Sequence, residues 1–311
     1  MACLAPRDPA PVPPEMRNGA AVKRDPAPPA PLYRPRYQKT PAMRSPDYVQ
    51  LSTAAAITLG LIPGKMHRCA CTRCLNLLLT YPEGCRANCA YCGLARHREA
   101  ETNYVDRNFI RVDWPAVALD EVIARIADQG EATAFHRMCI SMITHPSSDA
   151  DTLRVLERWR ARIPAAQIPV SILSNPTTMS RADVQALHDL GAEIFTVALD
   201  ACTPAIFEAT RGKGVDSPHR WETYWRVFDM AREIFGAKRI GMHLIVGLGE
   251  TDRDVLEICR RLHAVDGHSH LFCFYPERGS LMDHLPAPPR ARWRRLQLAR
   301  YLLEYKDHPF E

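Results

Sequence analysis

From residue 75 to the end of the chain, six short apolar runs of strand type alternate with longer amphipathic runs, and this alternation fixes most of what the chain can become. The strand-type runs are residues 75–81, 137–143, 168–173, 193–199, 239–247 and 270–275. Between and after them lie helix-like segments at 114–128, 150–162, 180–190, 220–235, 252–263 and 291–305. The strand runs are almost continuously apolar, the pattern of strands buried on both faces of a parallel sheet. Six such units predict an α/β architecture, either an open doubly wound sheet or a barrel-like one; periodicity alone does not choose between them. In either case functional groups gather at the carboxyl ends of the strands.

The first 46 residues have a different composition. They hold twelve of the chain's twenty-six prolines, with "RDPAP" occurring twice. Such a segment neither forms helix nor buries a core, so residues 1–46 are expected to be a disordered or extended tail. Residues 47–74 form a second segment. "SPDYVQLSTAAAITLG" starts with Ser45 and Pro46 and closes on Gly60, and it predicts one short helix. Residues 75–311 carry the α/β domain.

A net charge of +5 over 311 residues is too modest and too dispersed to point to a nucleic-acid partner. The longest apolar runs, such as residues 54–62, are too short to span a bilayer. The N-terminus lacks an apolar signal core, so a cytoplasmic location is expected. There, clustered cysteines serve metal or iron–sulfur binding more often than disulfides. Six of the eleven cysteines lie between positions 69 and 92, and the rest are scattered.

Cys85, Cys89 and Cys92 follow the first strand with the spacing C-x3-C-x2-C. Structural zinc takes four ligands, commonly in paired C-x2-C knuckles. Three thiolates on a four-iron cubane leave one iron open to another ligand. The trio, with Tyr91 before its last cysteine, resembles the signature of the radical S-adenosylmethionine (SAM) superfamily. That resemblance implies a partial (β/α)6 TIM-type barrel over roughly residues 75–285. It also implies a [4Fe–4S] cluster whose open iron binds SAM, and a 5′-deoxyadenosyl radical that removes hydrogen from an unactivated carbon.

Other stretches fit the same family. "IVGLGET" resembles the fifth-strand turn whose backbone, at Val246, lies along the adenine. Asp200 stands where relatives bind the SAM ribose. Arg220 is the favoured partner of the SAM carboxylate, with Arg211 its competitor. Many relatives carry Gly-Gly-Glu after the second strand. This chain has "SMITHP", where Ser141 or Thr144 takes that place, while His145 reads as a turn residue. Tyr91 and Asn175 complete the expected cofactor contacts.

A second triad, Cys69, Cys71 and Cys74, precedes the first strand. It either ties down the N-terminal segment as a structural site or binds an auxiliary [4Fe–4S] cluster that donates sulfur. Its order before C-x3-C-x2-C is similar to that in lipoyl synthase. The spacing differs, and that enzyme's C-terminal Arg-Ser-Ser is absent. The chain most resembles one component of the two-protein lipoyl synthases. That implies sulfur insertion into an octanoyl chain on a carrier protein, a second radical SAM component, and ferredoxin or flavodoxin as reductant. Ser280 is the first candidate for the auxiliary cluster's fourth ligand, with Cys273, Arg278 or no side chain as alternatives. The competing expectations are a radical SAM enzyme acting on a small substrate, like biotin synthase or a hydrogenase-cofactor maturase, and a non-enzymatic cluster scaffold or electron carrier.

Overall fold

The computed structural model describes residues 43–65, 72–98 and 113–308. Eight strands form one sheet in the order β3-β1-β2-β4-β5-β6-β7-β8. They are β1 (Tyr48–Leu51), β2 (Cys74–Leu79), β3 (Ala116–Ala118), β4 (Arg137–Ser141), β5 (Val170–Ser174), β6 (Ala192–Asp200), β7 (Ile240–Val246) and β8 (His268–Cys273). From β2 through β8 every neighbouring pair is parallel. The helices are α1 (Thr53–Thr58), α2 (Leu119–Gln129), α3 (Ser148–Arg160), α4 (Arg181–Asp189), α5 (Pro204–Thr210), α6 (Trp221–Phe235), α7 (Asp252–His263) and α8 (Arg290–Lys306).

The strand order settles what the sequence left open. A doubly wound sheet reverses its direction of growth part-way, which puts helices on both faces. Here the parallel strands follow one another in chain order without reversal. Right-handed crossovers then stack every helix on one face and leave the other facing inward, as in a barrel. The sheet does not close, so the fold is a partial (β/α)6 barrel with two antiparallel strands added at its β2 side.

Burial divides the same way. Met138, Ile140, Val170, Ile172, Val197, Met242 and Leu244 point toward the helices and are fully buried. Their strand neighbours on the other face, including Asn76, Cys139, Leu173, His243 and Ile245, are only half-buried. A half-exposed face in the middle of a covered sheet is the wall of a lumen.

Three local expectations are corrected. The helix expected from Ser45 is a strand followed by a shorter helix. Tyr48–Leu51 pairs antiparallel with both β2 and β3, and α1 starts only at Ser52, whose hydroxyl accepts the Ala55 N–H at 3.3 Å. Two ladders of long-range hydrogen bonds outweigh the helical propensity of the flanking alanines. The helix expected from Trp114 likewise begins five residues later, because Ala116–Ala118 completes the outer ladder of β1. The end of the supposed tail is also ordered. Ser45 is buried, its N–H donates to Thr80 O (2.9 Å), and its hydroxyl accepts the Thr80 N–H (3.0 Å). Residues 1–42 lie outside the described residues.

Candidate active site

β2 ends at Leu79, and the chain then turns at the carboxyl edge of the sheet into an irregular loop, residues 82–98. Gly84, at φ +75°, makes this turn, with its N–H bonded to Tyr81 O at 3.0 Å. The loop carries Cys85, Cys89 and Cys92. Its backbone is pinned by four other connections. Arg86 N–H donates to Thr144 O (2.7 Å), Ala90 N–H to Thr210 O (2.7 Å), and Met282 N–H to Ala90 O (2.9 Å). The Asn88 side chain donates to Val215 O (2.9 Å).

Cys89 is buried and its two partners are half-buried. Burial pushes all three thiols up, Cys89 to about 12, and the neighbouring sulfurs add to this for Cys89 and Cys92. Backbone N–H groups of Thr144 and Leu94 point at the sulfurs of Cys85 and Cys92, each at 3.4 Å.

Beside the loop, the ends of β4, β5 and β6 converge with α5 and α6 on a buried polar network. Asp200 closes β6 at φ +64°, where the β6–β7 register shifts. Its Oδ2 accepts from Tyr91 OH at 2.6 Å and from the Arg211 guanidinium. Arg211 also reaches Tyr91 OH (2.7 Å), Tyr224 OH (3.0 Å) and Asn175 Oδ1. His219 Nδ1 meets Thr177 Oγ1 at 2.6 Å and Tyr224 OH at 2.8 Å, while its Nε2 lies 3.4 Å from Thr144 Oγ1. Burial pushes Arg211 down, but the Asp200 carboxylate beside it more than offsets this and keeps the guanidinium charged. Burial pushes Asp200 up, and Arg211 and Tyr91 oppose that push. His219 is held well below its ordinary value by burial and by the charges of Arg211 and Arg220, so its imidazole is neutral. A cleft of about 480 Å³ opens beside this network, lined among others by Arg86, Thr144, Asn175, Thr177 and Arg220.

A radical SAM superfamily model matches residues 79–262, from the end of β2 into α7. The chain belongs to the radical SAM superfamily. Among solved structures it is similar to HydG, a maturase of the [FeFe]-hydrogenase, at 13% identity and a TM-score of 0.57 over 74% of this chain and 50% of that one. HydG from Carboxydothermus hydrogenoformans is similar at 16% identity and 0.53, over 75% of this chain and 51% of that one. Methylornithine synthase (PylB) is similar at 14% and 0.52, over 72% of this chain and 62% of that one. The chain thus spans about half the length of the two maturases, and at these identities the likeness is one of fold. No curated protein matches by sequence.

Radical SAM chemistry needs a [4Fe–4S] cluster and SAM, and the residues present fit both. Three soft thiols share one loop and sense one another's charge. Buried thiols become ligands when a cationic group displaces their protons. On the SAM side, buried Nε of Arg211 has no hydrogen-bond partner, in a network otherwise fully paired at its guanidinium tips.

The remaining expected contacts divide into those the fold gathers and those it separates. Tyr91, Asn175, Asp200 and Arg211 are hydrogen-bonded to one another, and Thr144 joins them through His219. Arg220, favoured over Arg211 on sequence, lines the cleft and donates to the carbonyls of Ser217 (2.9 Å) and His219 (2.6 Å). Ser141 faces the lumen in register with Leu78. The Val246 side chain is buried, and its carbonyl accepts the Phe274 N–H at 2.8 Å. The following turn is held by Glu250, whose carboxylate accepts from Gly247 N–H (2.8 Å) and Leu248 N–H (2.9 Å). His145 is stacked on Tyr81 with ring centroids 3.8 Å apart.

Cys69 and Cys71 lie outside the described residues. Cys74 opens β2 at the amino edge, on the same face as Asn76, Arg137 and Cys139. Five strand steps, about 16 Å, separate it from the end of β2 where the cysteine loop begins. Ser280 is buried with an unpaired hydroxyl in the turn that docks on Ala90, at the opposite edge from Cys74. The fold therefore does not bring Cys74 and Ser280 together around one cluster.

His219, Thr177, Tyr224 and Glu250 were not singled out by sequence. His219 and Tyr224 flank Arg220 in "SPHRWETY", and Glu250 sits within "IVGLGET". The stretches were informative, but the choice of residue within them depended on which side chains turn inward.

Proposed function

We propose that this radical SAM enzyme inserts sulfur into an octanoyl chain on a carrier protein, as one component of a two-protein lipoyl synthase. The observation that carries this reading is the position of Cys74. Its face of β2 looks into the lumen, and the three-cysteine loop stands at the other end of the same strand. Cys74, with Cys69 and Cys71 before it in the chain, would hold an auxiliary cluster, and that cluster would supply the inserted sulfur. When bound, the SAM-ligated cluster supplies the electron that cleaves SAM and yields a hydrogen-abstracting radical.

The chain's own residues do the rest. The cysteine loop holds the reacting end at the carboxyl edge. The Tyr91–Asp200–Arg211–Asn175 network fixes the cofactor pocket without needing solvent. The lumen wall keeps water from the reacting carbon. A passive cluster scaffold would need none of this buried network. Ferredoxin or flavodoxin is the reductant this reading requires, and the second component is a related radical SAM protein. Among the described residues no helix is long and apolar enough to cross a membrane.

The test is to count iron and acid-labile sulfide in anaerobically reconstituted protein, beside a Cys69/Cys71/Cys74→Ala variant. The reading expects about eight irons falling to about four. The variant should keep SAM cleavage and lose sulfur transfer to octanoylated carrier. Four irons in both proteins would rule the reading out.

A second reading has its own observation. The lumen face is polar at several levels, with Asn76, Arg137, Ser141, His243 and His270 on it. A small polar substrate, with the upstream triad purely structural, would suit that lining. Turnover of carrier-bound octanoyl groups separates the two.

A further inference from the structure

The large apolar side chains that are exposed among the described residues are Phe272, Tyr275, Leu281, Leu298, Tyr301 and Tyr305. All fall in the last forty residues of the chain, although the core draws on its whole length. A single exposed leucine means little, but several exposed side chains along one side of a helix mark a contact surface.

The placement of α8 explains the grouping. Its first turns sit at the carboxyl edge, where Arg292 donates to Glu250 O (2.8 Å) and Asp252 Oδ1 (2.6 Å). Its last turns reach the amino edge, where Glu304 accepts the Ser269 N–H at the start of β8 (3.0 Å). The helix, about 25 Å long, therefore covers β8 from top to bottom. Leu296 and Leu303 face the core. The opposite stripe carries Arg294, Leu298, Tyr301 and Tyr305 at helical spacing, with exposed Arg295 at its flank. Arg292 and Arg300 are spent on Glu250, Asp252 and Glu304. Arg294 and Arg295 form no ion pair among the described residues. β8 is the edge of the open sheet, and its inward Phe272 is 43% exposed, so the lumen opens sideways beside this helix.

Resting on the function proposed above, we infer that the outer face of α8, with Leu281 at the rim, is where the acyl-carrying protein docks. That partner presents an acidic surface around an apolar spot, and its arm enters the lumen along the open β8 edge past Phe272. Charge excludes the nearer occupants. The chain's own residues 1–42 carry seven Lys or Arg against three Asp or Glu, and a second copy would set these arginines against themselves. An acidic partner meets the arginines at the mouth end and covers the leucine and tyrosines below them.

The test uses the full reconstituted enzyme, octanoylated carrier protein, and a short octanoyl-lysyl peptide. Arg294→Glu/Arg295→Glu and Leu298→Asp are compared with the unaltered chain. All three positions are exposed, outside the cysteine loop and the buried network, and expected to leave folding and peptide turnover unchanged. Docking at α8 predicts a carrier KM raised about tenfold or more in each variant, and a carrier KM that climbs with salt in the unaltered enzyme and in Leu298→Asp but not in Arg294→Glu/Arg295→Glu. An unchanged carrier KM overturns the inference. So does equal loss on carrier and peptide, or loss seen with a protein reductant but not with dithionite, which would make this the reductant's surface. An unaltered enzyme that turns over neither substrate defeats the functional reading itself, a result distinct from either.

Discussion

Replacing Arg211 by Met should strand the Asp200 carboxylate, and the size of the effect can be bounded. Arg211 is 3% exposed and Asp200 8%. Removing one partner of a buried pair typically costs about 3–5 kcal/mol, because the other charge is left without compensation. Asp200 has an escape, since it can take up a proton. From its ordinary value of 3.8, protonation at pH 7 spans 3.2 pH units at about 1.4 kcal/mol each, or about 4 kcal/mol. That figure caps the electrostatic part of the loss. For a chain of this size it corresponds to a Tm lower by about 8 °C. The sign with pH follows from the direction of the shift. Without Arg211 the folded carboxyl titrates further above its unfolded value. Its penalty is therefore absent below the unfolded value and grows as pH rises toward the folded one. Going from pH 7 to pH 5 should recover up to about 2.7 kcal/mol of the deficit relative to the unaltered protein. Thermal unfolding of both proteins at the two pH values measures this directly. Adding Asp200→Asn to the variant should recover most of the loss at pH 7. A deficit that is the same at pH 5 and pH 7, or one that Asp200→Asn does not relieve, would refute the reasoning.

Other consequences can be checked alongside. Cys89→Ala should abolish the absorbance of the SAM-binding cluster and all 5′-deoxyadenosine formation, while far-UV circular dichroism stays unchanged. Gly247→Ala puts a Cβ 2.4 Å from Pro288 Cγ and 2.9 Å from Phe274 Cβ at φ +114°, and backbone strain alone should cost about 1–3 kcal/mol; a Tm within 1 °C of the parent would contradict the tight turn. Trp159→Ala, at a fully buried position on α3, should cost about 3–5 kcal/mol by denaturant titration. His219, depressed by burial, contributes stability that is present above its ordinary value near 6.5 and lost as pH falls through its lower folded value; His219→Gln should flatten that acid limb, and an unchanged limb would place the titration elsewhere.

The parallel strands were legible because a strand covered on both faces can be written as an uninterrupted apolar run. Residues 239–247 and 252–263 were expected, and Ile240–Val246 and Asp252–His263 are found. Tyr48–Leu51 was misread because its partners, 30 and 68 residues away, are what make it a strand. Thr203–Pro204 was a readable start for α5, with the threonine hydroxyl accepting the Ile206 N–H, yet it went unread beside Asp200. The cysteine loop is marked in the sequence by its spacing alone, and the structure places all three thiols on one loop after β2. The polar network was legible only in pieces. Tyr91 and Asp200 are 109 positions apart and Asn175 and Arg211 are 36 apart, so only the fold could pair them. The same holds for Arg211 and Arg220: the sequence favours Arg220, while the fold places Arg211 in the buried network. Ser280 and Cys74 show the converse: both looked suited to one cluster until the strand direction set them at opposite edges.

The four main-chain and side-chain ties on the cysteine loop have a consequence for how the protein keeps its iron. The same wiring makes the centre sensitive at a distance. A change at Thr210 or Met282, neither of which offers a ligand, moves the backbone that carries the sulfurs, and its first symptom would be faster loss of iron rather than loss of fold.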